Sequence, residues 1–162
     1  MTQPQSDASH AGARRTMSGL EYIRKLVAGE LESSPMAQLL NISIVEAEEG
    51  RVVVTAQPSL EFENGLRIAH GGFAATLLDT ALGCAVNSVM PAGKIFTTLE
   101  MKINFTHAVT RQTGTLTCSA AIVHAGARTA TAEGRIVDAD GKVYAHGSAT
   151  FIVFRDITQE ES

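Results

Sequence analysis

The sequence HGGFAATLLDTALGCAVNSVM, residues 70–90, decides the fold of this chain. It consists of apolar and small residues, and Asp79 is the only charged residue between His70 and Met90. A run of this length and composition predicts a helix that is surrounded by protein. A carboxylate inside such a helix is energetically costly unless it is paired, so Asp79 is the first candidate for a functional residue.

The composition of the whole chain limits the classes of function that it can have. With 162 residues, 44% of them hydrophobic and 19% charged, we expect one globular domain with a substantial core. The net charge of −4 and the absence of a Lys/Arg cluster argue against a general nucleic-acid-binding protein. Residues 73–90 approach membrane-spanning length, but Asp79 and Asn87 favour a helix enclosed by protein, so we expect no membrane association.

The cysteines and histidines indicate the compartment and argue against a metal site. Cys84 and Cys118 are isolated, which is typical of reduced thiols in the cytosol. Residues 1–17 are polar and small and carry no apolar segment of the kind found in signal peptides. The three histidines beyond residue 90 are widely separated, so we expect a cytoplasmic protein without a metal ion or other cofactor.

Changes in composition and period divide the chain into three parts. We expect residues 1–17 to be a flexible leader, residues 18–156 a single domain and residues 157–162 a flexible tail. The domain begins with Ser18-Gly-Leu-Glu21, which fits a capping box at the start of a helix. Alternating apolar and polar residues predict two strands before the long helix and four after it: 41–49 and 51–57, then 98–105, 115–124, 127–138 and 142–154.

The order of these elements determines the predicted fold. Consecutive strands joined by short turns form a largely antiparallel sheet. A long helix with a single charged residue has to be covered by something that curves around it. We therefore predict an α+β fold in which an antiparallel β-sheet wraps around a long central helix.

Several motifs occur in the same order as in a known family. Asn64 and Asp79 flank the motif HGG of residues 70–72, six residues before and nine residues after its histidine. Four further segments follow: TTLEMKI (97–103), HAG (124–126), TATAEG (129–134) and DADG (138–141). In this ordered set, which spans about residues 35–154, the chain resembles the hot-dog-fold acyl-CoA thioesterases of the phenylacetate-pathway and 4-hydroxybenzoyl-CoA type.

The resemblance implies hydrolysis of an acyl-CoA thioester without a metal ion, by a homodimer. Asp79 would be the catalytic carboxylate, and the backbone N–H of Gly71 would donate to the thioester oxygen. Four further residues would line the site or hold the acid and the water: Asn64, His70, Thr97 and Thr98.

The chain departs from the family pattern at two places. Arg67 stands three residues before the histidine of HGG, where the family often has glycine. His107-Ala108 stands where an Arg-Pro pair usually follows the central strand. Both departures affect the mouth of the pocket and the contacts with CoA more than the reacting groups.

The residues themselves also supply the two groups that thioester hydrolysis requires, a hydrogen-bond donor for the substrate oxygen and a base or nucleophile. The helix start offers free N–H groups backed by the helix dipole, and Gly71 and Gly72 let a substrate oxygen approach them closely. Asp79 can act as a general base towards water or as a nucleophile that forms a transient anhydride, and the sequence leaves both routes open. His70 is also typical of a helix-entry residue, and Asn64 of one that holds its own loop.

The spacing of Gly71 and Asp79 predicts the assembly. Eight residues of helix place them about 12 Å apart along the axis, at about 1.5 Å per residue. Reacting groups have to come within roughly 3–3.5 Å of each other. One helix cannot meet that condition, but two antiparallel copies can, with Gly71 of one chain facing Asp79 of the other. We therefore predict an obligate homodimer with two composite sites, with a dimer of dimers as a further expectation.

Cations and apolar side chains near these motifs are candidates for binding the two ends of the substrate. Arg128, beside the turn that contains Gly126, is the first candidate for the CoA phosphates. Three other cations come next: Arg67, Lys102 and Arg111. Three apolar residues are expected to close one side of an acyl pocket with room for an aryl or medium-chain group: Phe62, Leu66 and Phe73.

Two other functions fit the same architecture. An acyl-CoA hydratase or dehydratase removes a C–H proton, and it would favour a histidine and an acid that face each other across the site. A non-catalytic acyl-CoA-binding protein would need a further domain to report binding. Hydration of crotonyl-CoA, compared with release of free thiol from benzoyl- or hexanoyl-CoA, separates these functions from hydrolysis.

Overall fold

The long helix predicted from residues 70–90 lies at the centre of the computed structural model, which describes residues 16–154. This helix, α3, runs over Gly71–Asn87. Two shorter helices precede it, α1 over Gly19–Val27 and α2 over Pro35–Leu39. The predicted tail, and all of the predicted leader except residues 16 and 17, lie outside the described residues.

Within the described residues, six strands form one antiparallel sheet. Their bounds are β1 Ile42–Glu48, β2 Arg51–Ala56, β3 Ile95–Phe105, β4 Leu116–Ala125, β5 Thr129–Val137 and β6 Val143–Phe154. The spatial order is β1-β2-β4-β5-β6-β3, and α3 packs against every strand from β2 to β6. This arrangement confirms the predicted α+β fold.

Only one face of α3 is buried against the sheet. On that face Leu77, Leu78 and Leu82 are completely buried. A second face is half-buried, and it consists of adjacent pairs of residues that repeat every four positions: Ala75, Thr76, Asp79, Thr80, Gly83 and Cys84. This second face is less buried than the first, because the sheet covers one side of the helix. Asp79 lies on the face that the sheet leaves accessible.

β3 is an edge strand, and among the described residues it pairs with β6 alone. Its outer edge therefore presents unpaired backbone groups. Two of its apolar side chains are also exposed, Leu99 at 57% and Phe105 at 54%. The pairing with β6 shifts by a bulge between Thr98 and Glu100. A free edge with exposed apolar side chains is suited to pairing with another strand.

The start of α1 is fixed to the end of α3. Ser18 and Glu21 form the predicted capping box, in which the Glu21 N–H donates to the Ser18 hydroxyl at 3.3 Å. The Gly19 N–H donates to the Met90 carbonyl at 2.9 Å. A Cβ at Gly19 would lie 1.8 Å from the carbonyl oxygen of Asn87, so this approach requires glycine.

Gly19→Ala is therefore expected to lower the free energy of unfolding by about 1–3 kcal/mol, the usual cost of overpacking a close contact. Urea denaturation measures the change. Gly65→Ala is the matched control, because a Cβ at Gly65 meets nothing within 4 Å and the residue does not have a positive φ. The control should be at least as stable as the parent. Equal stability of the two variants would contradict the close approach.

Candidate active site

Asp79 is held by a threonine of the neighbouring strand β3. Thr98 Oγ1 donates to Asp79 Oδ1 at 2.9 Å, and both residues are half-buried. They line a cavity of about 350 Å³ together with Thr80 and Thr97. The carboxylate is thus oriented by one hydrogen bond while it still lines a cavity. A general base or a nucleophile requires this combination of fixed orientation and access.

The start of α3 lies in a second cavity, of about 320 Å³. Three residues singled out from the sequence line it: Asn64, His70 and Gly71. The first cavity and the second have no lining residue in common. Within the described residues the acid and the helix N-terminus therefore line two separate cavities. The eight residues of helix between Gly71 and Asp79 correspond to about 12 Å along the axis.

His70 caps α3 and determines which backbone donors stay available. Its Nδ1 accepts a hydrogen bond from the Gly72 N–H at 2.9 Å, so it acts as the N-cap side chain. The Gly72 N–H is thereby occupied. Gly71 lines the second cavity, and within residues 16–154 no group accepts a hydrogen bond from its N–H. The Gly71 N–H is thus left as a donor for a ligand.

Phe105, a residue that sequence reasoning did not assign to the site, packs against Gly71. A Cβ at Gly71 would lie 3.3 Å from Phe105 Cζ, so the ring lies directly against the start of the helix. Phe105 also lines the second cavity. In the sequence it is one apolar position of a strand, 34 residues after the glycine, and no local pattern connects the two.

The loop before α3 is held by Asn64. Its Oδ1 accepts from the Leu66 N–H at 2.9 Å, and its own N–H donates to the Ile68 carbonyl at 2.8 Å. Asn64 therefore holds its own loop while it also lines the second cavity. Arg67, which replaces the glycine often found there, has a φ of 59°, in the left-handed region that suits glycine. The loop thus keeps the backbone conformation suited to glycine and adds an exposed cation.

The cations proposed for the CoA phosphates differ in their surroundings. Arg128 is exposed and lines a cavity of about 540 Å³ together with Lys94. The N–H of Gly126 is used inside its own turn, where it donates to a carbonyl at 2.8 Å. Arg111 forms an ion pair with Glu63 at 2.7 Å, and the Glu63 side chain is only 10% exposed. Arg111 is therefore already paired, whereas Arg128 and Lys94 share an open cavity.

The residues expected to close the acyl pocket do not line the cavity at Asp79. Phe73 is 4% exposed and stacks on Phe62 with the ring centroids 5.0 Å apart. Leu66 is 79% exposed. Phe73 thus packs in the core, and the six residues of helix that separate it from Asp79 turn it to another face of α3.

No cluster of three or more His, Cys, Asp or Glu side chains within residues 16–154 could hold a metal ion. In the same part of the chain, no helix is long and apolar enough to span a membrane. Burial raises the pKa of Cys118 to about 12, so this thiol stays protonated and belongs to the core. Cys84 is half-buried and lines the cavity at Asp79.

Comparison with known proteins identifies the family. The family model described as "Thioesterase superfamily" matches residues 66–145. A conserved protein of Pseudomonas aeruginosa with a solved structure is 30% identical, over 75% of this chain and 95% of that chain, with a TM-score of 0.71. The chain belongs to the thioesterase superfamily. The expected resemblance to thioesterases is confirmed.

Two further proteins are similar to this thioesterase-superfamily member over most of their length. The PaaI protein from the phenylacetic acid degradation operon of E. coli is 27% identical, over 86% of this chain and 98% of that chain, with a TM-score of 0.74. The 1,4-dihydroxy-2-naphthoyl-CoA hydrolase of Listeria monocytogenes is 27% identical over 119 residues, which are 73% of this chain and 94% of that protein. Together with the sheet order, these likenesses identify the hot-dog fold, and the family is one of thioester hydrolases.

Proposed function

We propose that this member of the thioesterase superfamily hydrolyses acyl-CoA thioesters with aromatic or short- to medium-chain acyl groups, and releases the free acid and CoA. The name of the Listeria relative describes a CoA-thioester hydrolase, which supports this substrate class. The chain also offers the two groups that the reaction needs. These are the accessible carboxylate of Asp79 and the Gly71 N–H that His70 leaves free.

In the proposed reaction the thioester oxygen accepts a hydrogen bond from the Gly71 N–H. This bond stabilises the negative charge that develops on the oxygen when the carbonyl carbon is attacked. Asp79 either removes a proton from the attacking water or attacks the carbon itself, to form an anhydride that water then hydrolyses. In both routes the C–S bond breaks, one water is consumed, and CoA leaves as a thiolate that takes up a proton. Thr98 keeps the carboxylate oriented through its hydrogen bond.

A second copy of the chain completes the site in this proposal. The observation that carries it is the separation of the acid and the donor into two cavities with no lining residue in common. Two chains that pair antiparallel through the free edges of β3 would bring the helix start of one chain to the carboxylate of the other. β3 also carries both neighbours of the reacting groups, Thr98 beside Asp79 and Phe105 beside Gly71. Strand pairing would therefore set the distance between the two half-sites.

The CoA phosphates would bind at Arg128, and the cavity that it shares with Lys94 adds a second cation to this proposal. Two cations that line one open cavity suit a ligand with several phosphate charges. Gly126 would shape the turn that carries Arg128. Residues 18–156 as one domain, a cytoplasmic location and the pairing of dimers remain expectations from the sequence.

The composite site predicts that two inactive variants restore each other. Asp79→Asn removes the acid from one chain, and Gly71→Pro removes the donor N–H from the other. In a mixed dimer, one site lacks both groups and the other site has both. When equal amounts of the two chains are co-expressed, about half of the dimers are mixed, so about a quarter of the parental activity is expected. Thiol release from benzoyl- and hexanoyl-CoA measures it.

The two variants purified separately are the controls, and each should be nearly inactive. A co-expressed preparation that is no more active than the separate variants would contradict a site shared between chains. Sedimentation equilibrium on the same samples gives the molar mass of the active species. Hydration of crotonyl-CoA without release of thiol would instead assign the protein as a hydratase.

A further inference from the structure

The outer edge of β3 carries backbone groups that a second strand can bind. Directly after β3, the Thr106 N–H donates to the Tyr144 carbonyl of β6 at 2.9 Å. The backbone groups of successive residues point to opposite sides of a strand, so those of Met101, Ile103 and Phe105 point away from β6. Among the described residues β3 pairs with β6 alone, and these outward groups are therefore open to another strand.

After the bulge, the side chains of β3 alternate between the two faces of the sheet. Met101 and Ile103 pack against the core, whereas Glu100, Lys102 and Asn104 are exposed on the opposite face. Two chains related by a two-fold axis keep both cores on one side of the joint sheet only if residues of the same face lie opposite each other. The axis therefore has to pass through a residue of β3, and not between two residues.

The shared site restricts the position of this axis. Thr98 holds the acid, and Phe105 packs on the glycine that donates. Antiparallel pairing brings the Thr98 end of one strand beside the Phe105 end of the other only when the axis lies near the middle of this range. The candidate positions of the axis are Glu100, Met101, Lys102 and Ile103.

Charge complementarity distinguishes these positions. An axis through Glu100 or Lys102 places two like charges directly opposite each other, which destabilises the pairing. An axis through Ile103 places Lys102 opposite the partner's Asn104, without a charge pair. An axis through Met101 places Glu100 opposite the partner's Lys102, and by symmetry it does so twice. These are pairs without backbone hydrogen bonds between them, in which side chains come closest.

Both charged side chains are available for such pairs. Lys102 is exposed and forms no ion pair within residues 16–154. Glu100 is exposed as well, and its Oε1 accepts a hydrogen bond from the Thr150 hydroxyl at 2.7 Å. Thr150 lies opposite Glu100 on β6, so this bond holds the carboxylate on the outer face of the sheet. Its second oxygen can accept from an ammonium group of another chain.

We propose that two copies of the chain pair through β3 with the two-fold axis at Met101, and that reciprocal ion pairs between Glu100 and the partner's Lys102 fix this register. The proposal rests on the shared site of the proposed function. Moving the axis by one residue slides the partner strand by two residues, which is about 6.8 Å. Reacting groups tolerate much less, since they have to lie within roughly 3–3.5 Å. Glu100 and Lys102 are thus positioning residues for the reaction.

Cysteine substitutions on the core face identify the register without changing a charge. With the axis at Met101, Met101→Cys lies opposite its own copy, with about 5.5 Å between the Cα atoms, and a disulfide can form. Ile103→Cys is the matched control, because its own copy is then too far away. After oxidation with diamide, non-reducing electrophoresis should show covalent dimers of Met101→Cys. Ile103→Cys and the parent chain, which keeps Cys84 and Cys118, should stay single chains.

A mixed sample tests the neighbouring register. When Met101→Cys is co-expressed with a tagged Ile103→Cys chain, a disulfide between the two different chains requires the axis at Lys102. With the axis at Met101 these two positions are diagonal neighbours at about 7–8 Å, beyond the usual range of a disulfide. We expect no mixed disulfide.

Exchange of the two charges tests the ion pairs. Glu100→Lys places lysine opposite lysine and should raise the dissociation constant of the dimer at least about tenfold, measured by sedimentation equilibrium, with a parallel loss of thiol release. The double variant Glu100→Lys/Lys102→Glu restores opposite charges and should return both quantities to within about threefold of the parent. Glu49→Lys is the control for the charge change, because Glu49 is exposed in the turn between β1 and β2, at the other edge of the sheet.

The outcomes separate the register from the function on which it rests. A disulfide of Ile103→Cys with its own copy, a mixed disulfide, or a double variant as weak as Glu100→Lys overturns the register. Activity of the mixed Asp79→Asn and Gly71→Pro dimer without a disulfide at Met101→Cys also overturns the register, and it leaves the shared site standing. A disulfide at Met101→Cys in a protein that releases no thiol supports the register and overturns the thioesterase function.

Discussion

Asp79→Asn should lower kcat for acyl-CoA hydrolysis by about 100- to 10,000-fold, the usual contribution of a positioned general base. The amide conserves the shape of the carboxylate, and its oxygen can still accept the hydrogen bond from Thr98. It cannot take a proton from water, and it is a poor nucleophile. The loss should therefore appear in kcat, with the fold and the stability close to those of the parent. Steady-state thiol release and thermal unfolding measure the two quantities.

Asp140→Asn is the control for the change of charge alone. Asp140 is an exposed residue of the turn between β5 and β6, distant from α3 in the sequence. It lines neither the cavity at Asp79 nor the cavity at Gly71. It should keep the parental kcat. If Asp79→Asn hydrolyses substrate at the parental rate, the assignment of Asp79 as the reacting acid is wrong.

Gly71→Pro should lower kcat by about 100- to 1,000-fold, which is the usual cost of removing one oxyanion donor. Proline removes the N–H and nothing else that the reaction uses. The first position of a helix accepts proline well, because its N–H has no partner within the helix. The preceding residue, His70, has φ −59° and ψ 139°, in the extended region that residues before proline adopt. The variant is therefore expected to fold.

Gly71→Ala separates the loss of the donor from the added bulk. Both variants place a Cβ about where the contact with Phe105 is 3.3 Å, and the ring can move by the small amount required. Alanine keeps the N–H, so it should be at least about tenfold more active than proline. Equal activity of the two variants would mean that the N–H of this residue does not bind the thioester oxygen.

The sequence predicted the elements of the fold well, and the failures have identifiable causes. The alternation of apolar and polar residues located all six strands, and the capping box at Ser18 located α1. β3 begins at Ile95 rather than at residue 98, because the bulge between Thr98 and Glu100 interrupts the period of two. After the bulge, apolar and polar residues alternate as predicted. Before the bulge, the side chains that face the core occupy the other set of alternate positions.

The candidate site was only partly predictable from the sequence. Asp79 stands out because a lone acid is unusual in a buried helix. Gly71 stands out because it belongs to a pair of glycines at the start of that helix. The role of His70 as the N-cap followed from its position at the helix start. Contacts between distant segments, such as Phe105 on Gly71 or Tyr22 in the cavity at Asp79, have no local signature. They depend on strand order and on where α1 packs.

The position of Phe73 shows how helical spacing, and not proximity in the sequence, determines the surroundings of a side chain. Its proximity to HGG in the sequence suggested contact with substrate, but residues six apart on a helix point in different directions. Phe73 shares its face with Leu77 and is buried, whereas Asp79 shares its face with Gly83 and lines a cavity. Helical spacing, applied to each residue in turn, would have assigned Phe73 to the core.

The two cavities along α3 also bear on how such a protein can diversify. Residues such as Gly83 and Asn87 line the cavity past the acid, whereas the donor at Gly71 lies at the other end of the same helix. Mutations that reshape the region beyond Asp79 leave the helix start untouched. Such chains can therefore accumulate substitutions in the cavity past Asp79 while the N–H at the helix start keeps its place.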